Sequence, residues 1–202
     1  RAGIKQEENQ PRAIAYRKIG KILYGENHPY GKPLTGTGTT ETIENISRDA
    51  LVEVYKRVIN SNNASYLIVG NINLEEAKDM LESKFGNWES EASQQKLSLF
   101  NVNLPKSRKV YLIDKPNAIQ SYIVAGQLLP PTGSDDEILM EYMNYAIGGS
   151  FTSRLNMNLR EDKSWSYGVR NRLADAKGQR SILVNAPVQT DKTADSLSLI
   201  HI

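Results

Sequence analysis

The sequence contains no cysteine and only two histidines, His28 and His201, among its 202 residues. The absence of cysteine excludes disulfide bonds and thiolate metal sites, and it is neutral on cellular compartment. Zinc sites of hydrolytic enzymes group several His, Cys or carboxylate ligands together. His28 lies in a stretch rich in glycine, proline and threonine, and His201 is the second-last residue. We therefore expect no zinc site within this sequence.

Two further absences limit the classes of function. The 25 basic and 23 acidic residues leave a net charge of +2, which gives no particular support to nucleic acid or an anionic membrane as partner. No apolar run is long enough to span a bilayer, and no signal peptide opens the chain. Because the first residue is Arg1, we expect a fragment whose true start is missing. Its length allows one sizeable core or two smaller ones.

Local signals predict several helices. Pro11 suits the first position of a helix, where its missing N–H removes no needed donor. Ser47 is the expected cap of a helix that runs to about Ile59. Asn73 and Glu76 have the spacing of a capping box. A later helix has four residues on its predicted core face: Leu139, Met140, Met143 and Ile147.

Four apolar segments have the length and the flanking turn residues of strands: residues 66–69, 109–115, 119–129 and 180–187. These segments and the predicted helices are mixed along the chain without strict alternation. We therefore predict an α+β fold in which a mixed sheet packs against helices.

The stretch from Gly148 to Val169 changes from helical to strand periodicity within a few residues. Gly148 and Gly149 end one apolar helix. A short second helix is predicted to carry three apolar residues on one face: Phe151, Leu155 and Leu159. Alternating residues then indicate a strand: Trp165, Tyr167 and Val169. This order puts Arg160 near the end of a helix and Tyr167 on the following strand, where both could reach one carbonyl oxygen.

A structural interpretation of Arg160 and Tyr167 stays open beside the functional one. Arg160 would pair with Glu161 or Asp162 at the surface, and Tyr167 would pack in the sheet. Spacing alone favours this interpretation, because Arg and Tyr are common in such places.

The same stretch resembles the non-catalytic domains of the M16 zinc metallopeptidases, the family of insulinase, pitrilysin and the mitochondrial processing peptidase. It is most similar to the last domain of the long bacterial members. The residues that fit the family pattern are, in order, Ser153, Arg154, Leu155, Leu159, Arg160, Glu161, Tyr167, Gly168 and Val169. Residues 23–37, which read LYGENHPYGKPLTGT, resemble an architectural loop of the same domains. In that loop the equivalent of His28 is not a zinc ligand.

The resemblance implies that the zinc site and some of the residues that contact the substrate lie in different domains. It implies that Arg160 and Tyr167 reach across a closed peptide chamber toward a zinc site in another domain, where they contact the substrate and its transition state. The zinc, held by an H-x-x-E-H helix, would lie in that domain of the same chain or of a partner subunit. Catalytic and metal-binding residues are therefore expected outside this sequence. The resemblance also implies a peptide or unfolded polypeptide as substrate, and a periplasmic or otherwise exported bacterial protein.

The expected domain organisation follows from the same resemblance. Residues 1–87 look like the second half of one M16 domain, and residues 108–196 like the first half of the next. Residues 88–107 are polar and aperiodic, which is typical of a linker. Residues 197–202, LSLIHI, match the translation of a transposon end used in sequencing-library preparation. We expect them to be an artefact without function.

Other candidate functions remain beside this one. A catalytically inactive M16 homologue that serves as a scaffold or partner subunit is the main alternative. The strand at Tyr122–Gly126 could add an extended peptide to the sheet edge. The Thr35–Thr40 segment lacks the Lys-Ser/Thr of a phosphate loop. Ser150–Ser153 has no histidine at hand as a base.

Overall fold

The structure is a computed structural model that describes residues 1–89 and 98–200. The chain forms two compact units: residues 41–98 make one, and residues 1–40 with those from 99 onward make the other. Helices and a small sheet are mixed along the chain, which confirms the α+β prediction. Residues 90–97 of the predicted linker 88–107, and His201 with Ile202 of the expected artefact, lie outside the described residues. The domain boundaries stay a prediction.

Helices account for most of the regular structure in the described residues. In chain order they are α1 (Ala2–Glu7), α2 (Pro11–Tyr24), α3 (Thr40–Glu44), α4 (Arg48–Val58), α5 (Leu74–Phe85), α6 (Glu137–Asn144), α7 (Arg154–Asn156) and α8 (Thr193–Ile200). The turns of α6 and α7 widen into π-helical segments at Tyr145–Gly149 and Met157–Asp162. Short 3₁₀ turns occupy Pro29–Gly31, Ser61–Asn63 and Thr190–Lys192.

The sheet of the larger unit has three antiparallel strands in the described residues: β1 (Gln120–Leu129), β2 (Arg170–Leu173) and β3 (Arg180–Gln189). Their order is β1-β3-β2, so β3 is central. The register places Ile123 opposite Ala186 on the β1 side and Asn171 opposite Val184 on the β2 side. The predicted strands at 119–129 and 180–187 are thereby confirmed.

The predicted helix starts are confirmed at the level of individual bonds. Pro11 is in the first turn of α2. The Ser47 hydroxyl accepts the Ala50 N–H at 3.1 Å. The Asn73 side chain accepts the Glu76 N–H at 2.9 Å, and the Glu76 carboxylate accepts the Asn73 N–H at 3.3 Å. These caps are readable from sequence because each needs only groups three residues apart.

One core of the larger unit joins the sheet to α7 and the π-helical segment after it. Its buried residues are Leu155, Leu159, Val169, Ala186 and Val188. Partly buried apolar residues pack around them: Ile123, Ile147, Trp165, Val184, Leu199 and Ile200. Leu199 and Ile200 belong to α8, which runs through most of the segment that we expected to be an artefact. The core holds the chain between α7 and β2 against the sheet.

The strands predicted at 66–69 and 109–115 do not form in the structure. Leu67, Val69 and Leu112 are 92%, 91% and 92% exposed, so their side chains lack the cover that a sheet would provide. A strand needs a neighbour for its backbone hydrogen bonds. The described residues offer these two segments no such neighbour. The apolar pattern was correctly recognised, but the strand prediction was wrong here.

The predicted core face of α6 is only half correct. Met140 is buried and Ile147 packs against the core, whereas Leu139 and Met143 are exposed. Both exposed residues lie in the regular part of α6, before the π-helical segment that begins at Tyr145. The apolar pattern of a helix does not show how much of its apolar face is covered by the rest of the fold.

Candidate functional site

Tyr167 does not lie on a strand as predicted but in the connection three residues before β2. The chain leaves the π-helical segment through Ser164, which has a φ of 55°. The N–H groups of Trp165 and Ser166 then both donate to the carbonyl of Leu159, at 2.9 and 3.2 Å. These bonds wrap the connection around the end of the helix. They leave Tyr167 86% exposed.

The connection that carries Tyr167 is fastened to β3. The hydroxyl of buried Ser166 donates to the Pro187 carbonyl at 2.6 Å and accepts the Gly168 N–H at 3.1 Å. The Gln189 N–H donates to the Trp165 carbonyl at 2.9 Å. An exposed Tyr167 therefore stands on backbone that the central strand holds in place.

Arg160 and Tyr167 are brought together as a pair. Arg160 lies in the π-helical segment Met157–Asp162, and its guanidinium carbon is 5.3 Å from the centre of the Tyr167 ring. This distance is typical of a cation–π contact. The predicted neighbourhood of the two side chains is therefore present in the structure, although what they do in catalysis stays a prediction.

Phe151 is a third member of this cluster that sequence reasoning missed. Its ring centre is 4.6 Å from the Arg160 guanidinium carbon. Helical spacing had placed Phe151 on a core face with Leu155 and Leu159. Because α7 begins only at Arg154, Phe151 precedes the helix and its side chain is 47% exposed. The sequence signal that could have indicated this is an aromatic residue two positions after the glycine pair.

The guanidinium of Arg160 has one acidic neighbour. Its Nε is 3.3 Å from Glu161 Oε1, as the structural interpretation expected. Tyr167, in contrast, is not packed in the sheet. The Arg160 side chain is 30% exposed, so part of it is open to solvent. We call Phe151, Arg160 and Tyr167 the arginine clamp.

His28 has a structural environment in the larger unit. Its Nδ1 accepts the Tyr30 N–H at 3.0 Å, and its Nε2 lies 3.1 Å from the Phe100 carbonyl, to which it donates. Its buried ring stacks on Tyr24 at 5.0 Å and contacts the rings of Tyr30 and Phe100 edge-on. Both ring nitrogens are thus engaged. The loop around His28 is held by this aromatic cluster.

Zinc does not fit the described part of the chain. Within residues 1–89 and 98–200, no group of three His, Cys, Asp or Glu side chains is placed to hold a metal ion. The same residues contain no helix long and apolar enough to cross a membrane.

The segment Thr35–Thr40 is fixed by protein groups. Arg17 donates to Glu7 at 2.7 Å, to the Thr37 hydroxyl at 3.0 Å and to the Gly38 carbonyl at 2.8 Å. The Thr37 hydroxyl donates to the same carboxylate at 2.7 Å. Hydrogen bonds from Thr37 and Arg17 hold the pKa of Glu7 below its usual value, although desolvation opposes them. Arg17 therefore holds this loop through hydrogen bonds to protein groups.

Comparison with known proteins identifies the family. A family model described as "Peptidase M16 inactive domain" matches residues 45–201. The chain is 28% identical to the "Uncharacterized zinc protease YmxG" of Bacillus subtilis over 82% of its own length and 38% of that protein. It is also similar to the "Probable inactive metalloprotease YmfF" of the same organism, at 22% identity over 85% of this chain and 39% of the relative.

A solved structure shares the fold. The peptidase M16 inactive domain from Pseudomonas fluorescens superposes with a TM-score of 0.87 at 20% sequence identity, covering 98% of this chain and 47% of that one. The chain spans less than half the length of the two curated relatives and of this structure. By its sequence match and its fold, the chain belongs to the peptidase M16 family, in the part described as the inactive domain.

Proposed function

We propose that this chain is the non-catalytic portion of a longer M16 zinc metalloendopeptidase. In this proposal it forms part of the wall of a peptide chamber and presents Arg160 and Tyr167 to a substrate bound at a zinc site in another domain. The family match supports the proposal, as does a relative named as a zinc protease that is longer than this chain. The zinc and the residues that hold it would belong to the other domain.

The observation that carries the proposal is the geometry of the arginine clamp. Arg160 and Tyr167 lie side by side, with 5.3 Å between the guanidinium carbon and the ring centre. Tyr167 is almost fully exposed, and the Arg160 side chain is 30% exposed, with its Nε 3.3 Å from Glu161 Oε1. A charged donor and a phenolic donor are therefore presented together at the surface. Arg160 lies in the π-helical segment, and the connection that carries Tyr167 is hydrogen-bonded to β3.

The clamp has a clear chemical use in amide hydrolysis. When a nucleophile adds to a peptide carbonyl, negative charge develops on the carbonyl oxygen. The Tyr167 hydroxyl would donate to that oxygen, and the Arg160 guanidinium would bind a substrate carbonyl through charge-assisted hydrogen bonds. One preorganised donor of this type lowers the barrier by about 3 kcal/mol at comparable sites. Stabilisation of this kind acts mainly on kcat.

The peptide itself has a second contact in the proposal. In the described residues β1 is an edge strand, so the unpaired side of Tyr122–Gly126 could bind an extended peptide through backbone hydrogen bonds. Titration of the protein with an unstructured peptide, followed by amide NMR, tests this contact. Backbone amides of Tyr122–Gly126 that stay unshifted at saturation count against it.

The proposal is tested by Arg160→Lys in the full-length protein. Lysine keeps the charge but loses the planar fork of donors and the stacking between rings. We expect kcat for a peptide substrate to fall about 10²-fold with KM little changed. Arg154→Lys is the matched control, because Arg154 is an exposed arginine of the preceding helix α7. A kcat of Arg160→Lys equal to that of the control would refute the proposed role.

A scaffold or partner subunit without peptidase activity is the second candidate. The similarity to a relative named as a probable inactive metalloprotease favours it. The two functions differ in the zinc-bearing domain. An intact H-x-x-E-H helix and one bound zinc per full-length protein indicate a peptidase, whereas a degenerate motif without bound zinc indicates a scaffold. Periplasmic placement is proposed only by resemblance to the long bacterial members, and fractionation of the source cells tests it.

A further inference from the structure

Asn156 makes hydrogen bonds to the two chain segments that carry the aromatic residues of the arginine clamp. Its side chain is 1% exposed and makes two hydrogen bonds. The Nδ2 group donates to the Phe151 carbonyl at 2.7 Å, and Oδ1 accepts the Val169 N–H at 3.0 Å. The first bond holds the backbone of Phe151. The second holds the chain two residues after Tyr167.

The surroundings of Asn156 explain why these bonds are strong constraints. Leu155, Leu159 and Val169 are core residues around it, so water has little access to its amide. A buried polar group that loses its partner pays the cost of desolvation without compensation. Gly168 lies close to the amide, since a Cβ there would be 3.6 Å from Asn156 Oδ1.

An amide side chain can make both contacts at once. Asparagine carries a donor and an acceptor on one short, planar group, whereas an ionised aspartate accepts only and leucine does neither. The arginine clamp needs both contacts, because its two rings come from chain segments on opposite sides of α7. Phe151 precedes that helix and Tyr167 follows the π-helical segment after it.

We propose that Asn156 is a positioning residue of the site: by holding the backbone at Phe151 and Val169 it sets both rings against the Arg160 guanidinium. Phe151 acts with it as the second ring of the clamp. The catalytic consequence rests on the proposed function of Arg160 and Tyr167. The geometric consequence does not depend on that function, and it is measured separately.

The geometric test is NMR of the full-length protein labelled at arginine. In the unmodified protein we expect the aromatic rings to shift the Arg160 Nε–H and Cδ–H signals upfield, because both ring centres lie close to the guanidinium carbon. We expect Asn156→Ala to move these signals toward the chemical shifts of an exposed arginine. We expect Phe151→Leu to remove the part of the upfield shift that the Phe151 ring causes. Asn60→Ala is the matched control, because Asn60 is also buried and donates one 2.7 Å bond to a carbonyl, that of Arg57. Arg160 signals unchanged in a folded Asn156→Ala protein overturn the proposal.

The kinetic test separates positioning from stability. We expect Asn156→Ala and Phe151→Leu to lower kcat about 10- to 10²-fold with little change in KM, since small misplacements of a catalytic group have effects of this size. The double variant is expected to lose no more than the larger single loss, because both act through Arg160. If Asn156→Ala does not fold, Phe151→Leu decides, because its side chain is half-exposed. Unchanged kcat in Phe151→Leu then overturns the proposal.

The outcome of Arg160→Lys separates the proposed function of Arg160 from the positioning role of Asn156. If that variant keeps its kcat, the proposed function fails, and the NMR test alone decides whether Asn156 positions the guanidinium. If Arg160→Lys loses kcat while Asn156→Ala keeps both kcat and the ring-shifted signals, the proposed function stands. In that case the positioning role of Asn156 is refuted.

Discussion

The guanidinium of Arg160 lies 5.3 Å from the ring of Tyr167, although the two residues belong to different local structures. Arg160 is in a π-helical segment, and Tyr167 is in the connection that follows it. An exposed contact of this kind contributes only about 0.5 to 1 kcal/mol to stability. We therefore expect the contact to orient the donors of Arg160 and Tyr167 and to contribute little to the stability of the fold.

A stability measurement checks this distinction. We expect Tyr167→Leu to lower the free energy of unfolding by no more than about 1 kcal/mol, because it removes only an exposed ring. Leu159→Ala, beside Arg160 in sequence but fully buried, is the contrast, with an expected loss of about 2 to 5 kcal/mol. Urea unfolding of the full-length protein gives both values. A Tyr167→Leu loss as large as that of Leu159→Ala would make the tyrosine a structural residue.

The pair of Arg180 and Glu137 predicts a strong structural effect away from the site. Arg180 on β3 is fully buried and donates twice to Glu137 at the start of α6, at 2.8 and 2.7 Å. Glu137→Gln leaves the buried guanidinium without its carboxylate, so we expect the Tm to fall by several degrees. Glu141→Gln, an exposed glutamate on the same helix, should leave Tm nearly unchanged. Equal melting of the two variants would show that the pair contributes little.

The same pair predicts the response to acid. Hydrogen bonds from Arg180 hold the pKa of Glu137 below its ordinary value, while desolvation acts in the opposite direction. Near the ordinary pKa of about 4.3 the unfolded chain then binds more protons than the native protein at this residue. The stabilisation is complete above that pH and is lost as pH falls toward the lower, folded-state pKa.

Urea midpoints measured between neutral pH and pH 3 test this response. We expect stability to fall below about pH 4.3, and to fall less steeply in Glu137→Gln, which lacks the titrating group. Glu7, whose pKa is also lowered, accounts for part of the remaining slope. Identical slopes in the two proteins would contradict the assignment to Glu137.

Gly148 gives a prediction about packing at the glycine pair. A Cβ at this position would lie 2.6 Å from the Asn171 side chain and 2.9 Å from the Asn171 backbone nitrogen. We expect Gly148→Ala to cost about 1 to 3 kcal/mol, because β2 would have to move away from the helix. Gly70→Ala has open space around it and should change stability by less than about 0.5 kcal/mol. Denaturant unfolding compares them, and a neutral Gly148→Ala would show that the strand yields easily.

Features that depend on neighbouring residues could be predicted from the sequence. The caps at Ser47 and Asn73 and the helix start at Pro11 involve groups within one turn. The strands β1 and β3 have long apolar patterns, and they pair with each other in the sheet. Arg160 and Tyr167 were identified by resemblance, and the structure places them side by side.

Features that depend on distant contacts or on irregular turns could not be predicted. The apolar segments containing Leu67 and Leu112 have strand patterns, but a strand exists only where a neighbour completes its hydrogen bonds. Phe151 is predicted in the core on the assumption that a regular helix already includes it, whereas α7 begins three residues later, at Arg154. The bonds of Asn156 reach Phe151 and Val169 across five and 13 positions, and nothing local marks them.

The measurement that tests the central claim most directly is kcat and KM for Tyr167→Phe in the full-length protein. Phenylalanine keeps the ring beside Arg160 and removes only the hydroxyl donor. The account predicts that kcat falls about 10²-fold while KM stays within a few-fold. Tyr142→Phe, an equally conservative change at another exposed tyrosine, should keep the original kcat. If kcat for Tyr167→Phe also remains at that level, the hydroxyl has no part in transition-state stabilisation and the central claim is wrong.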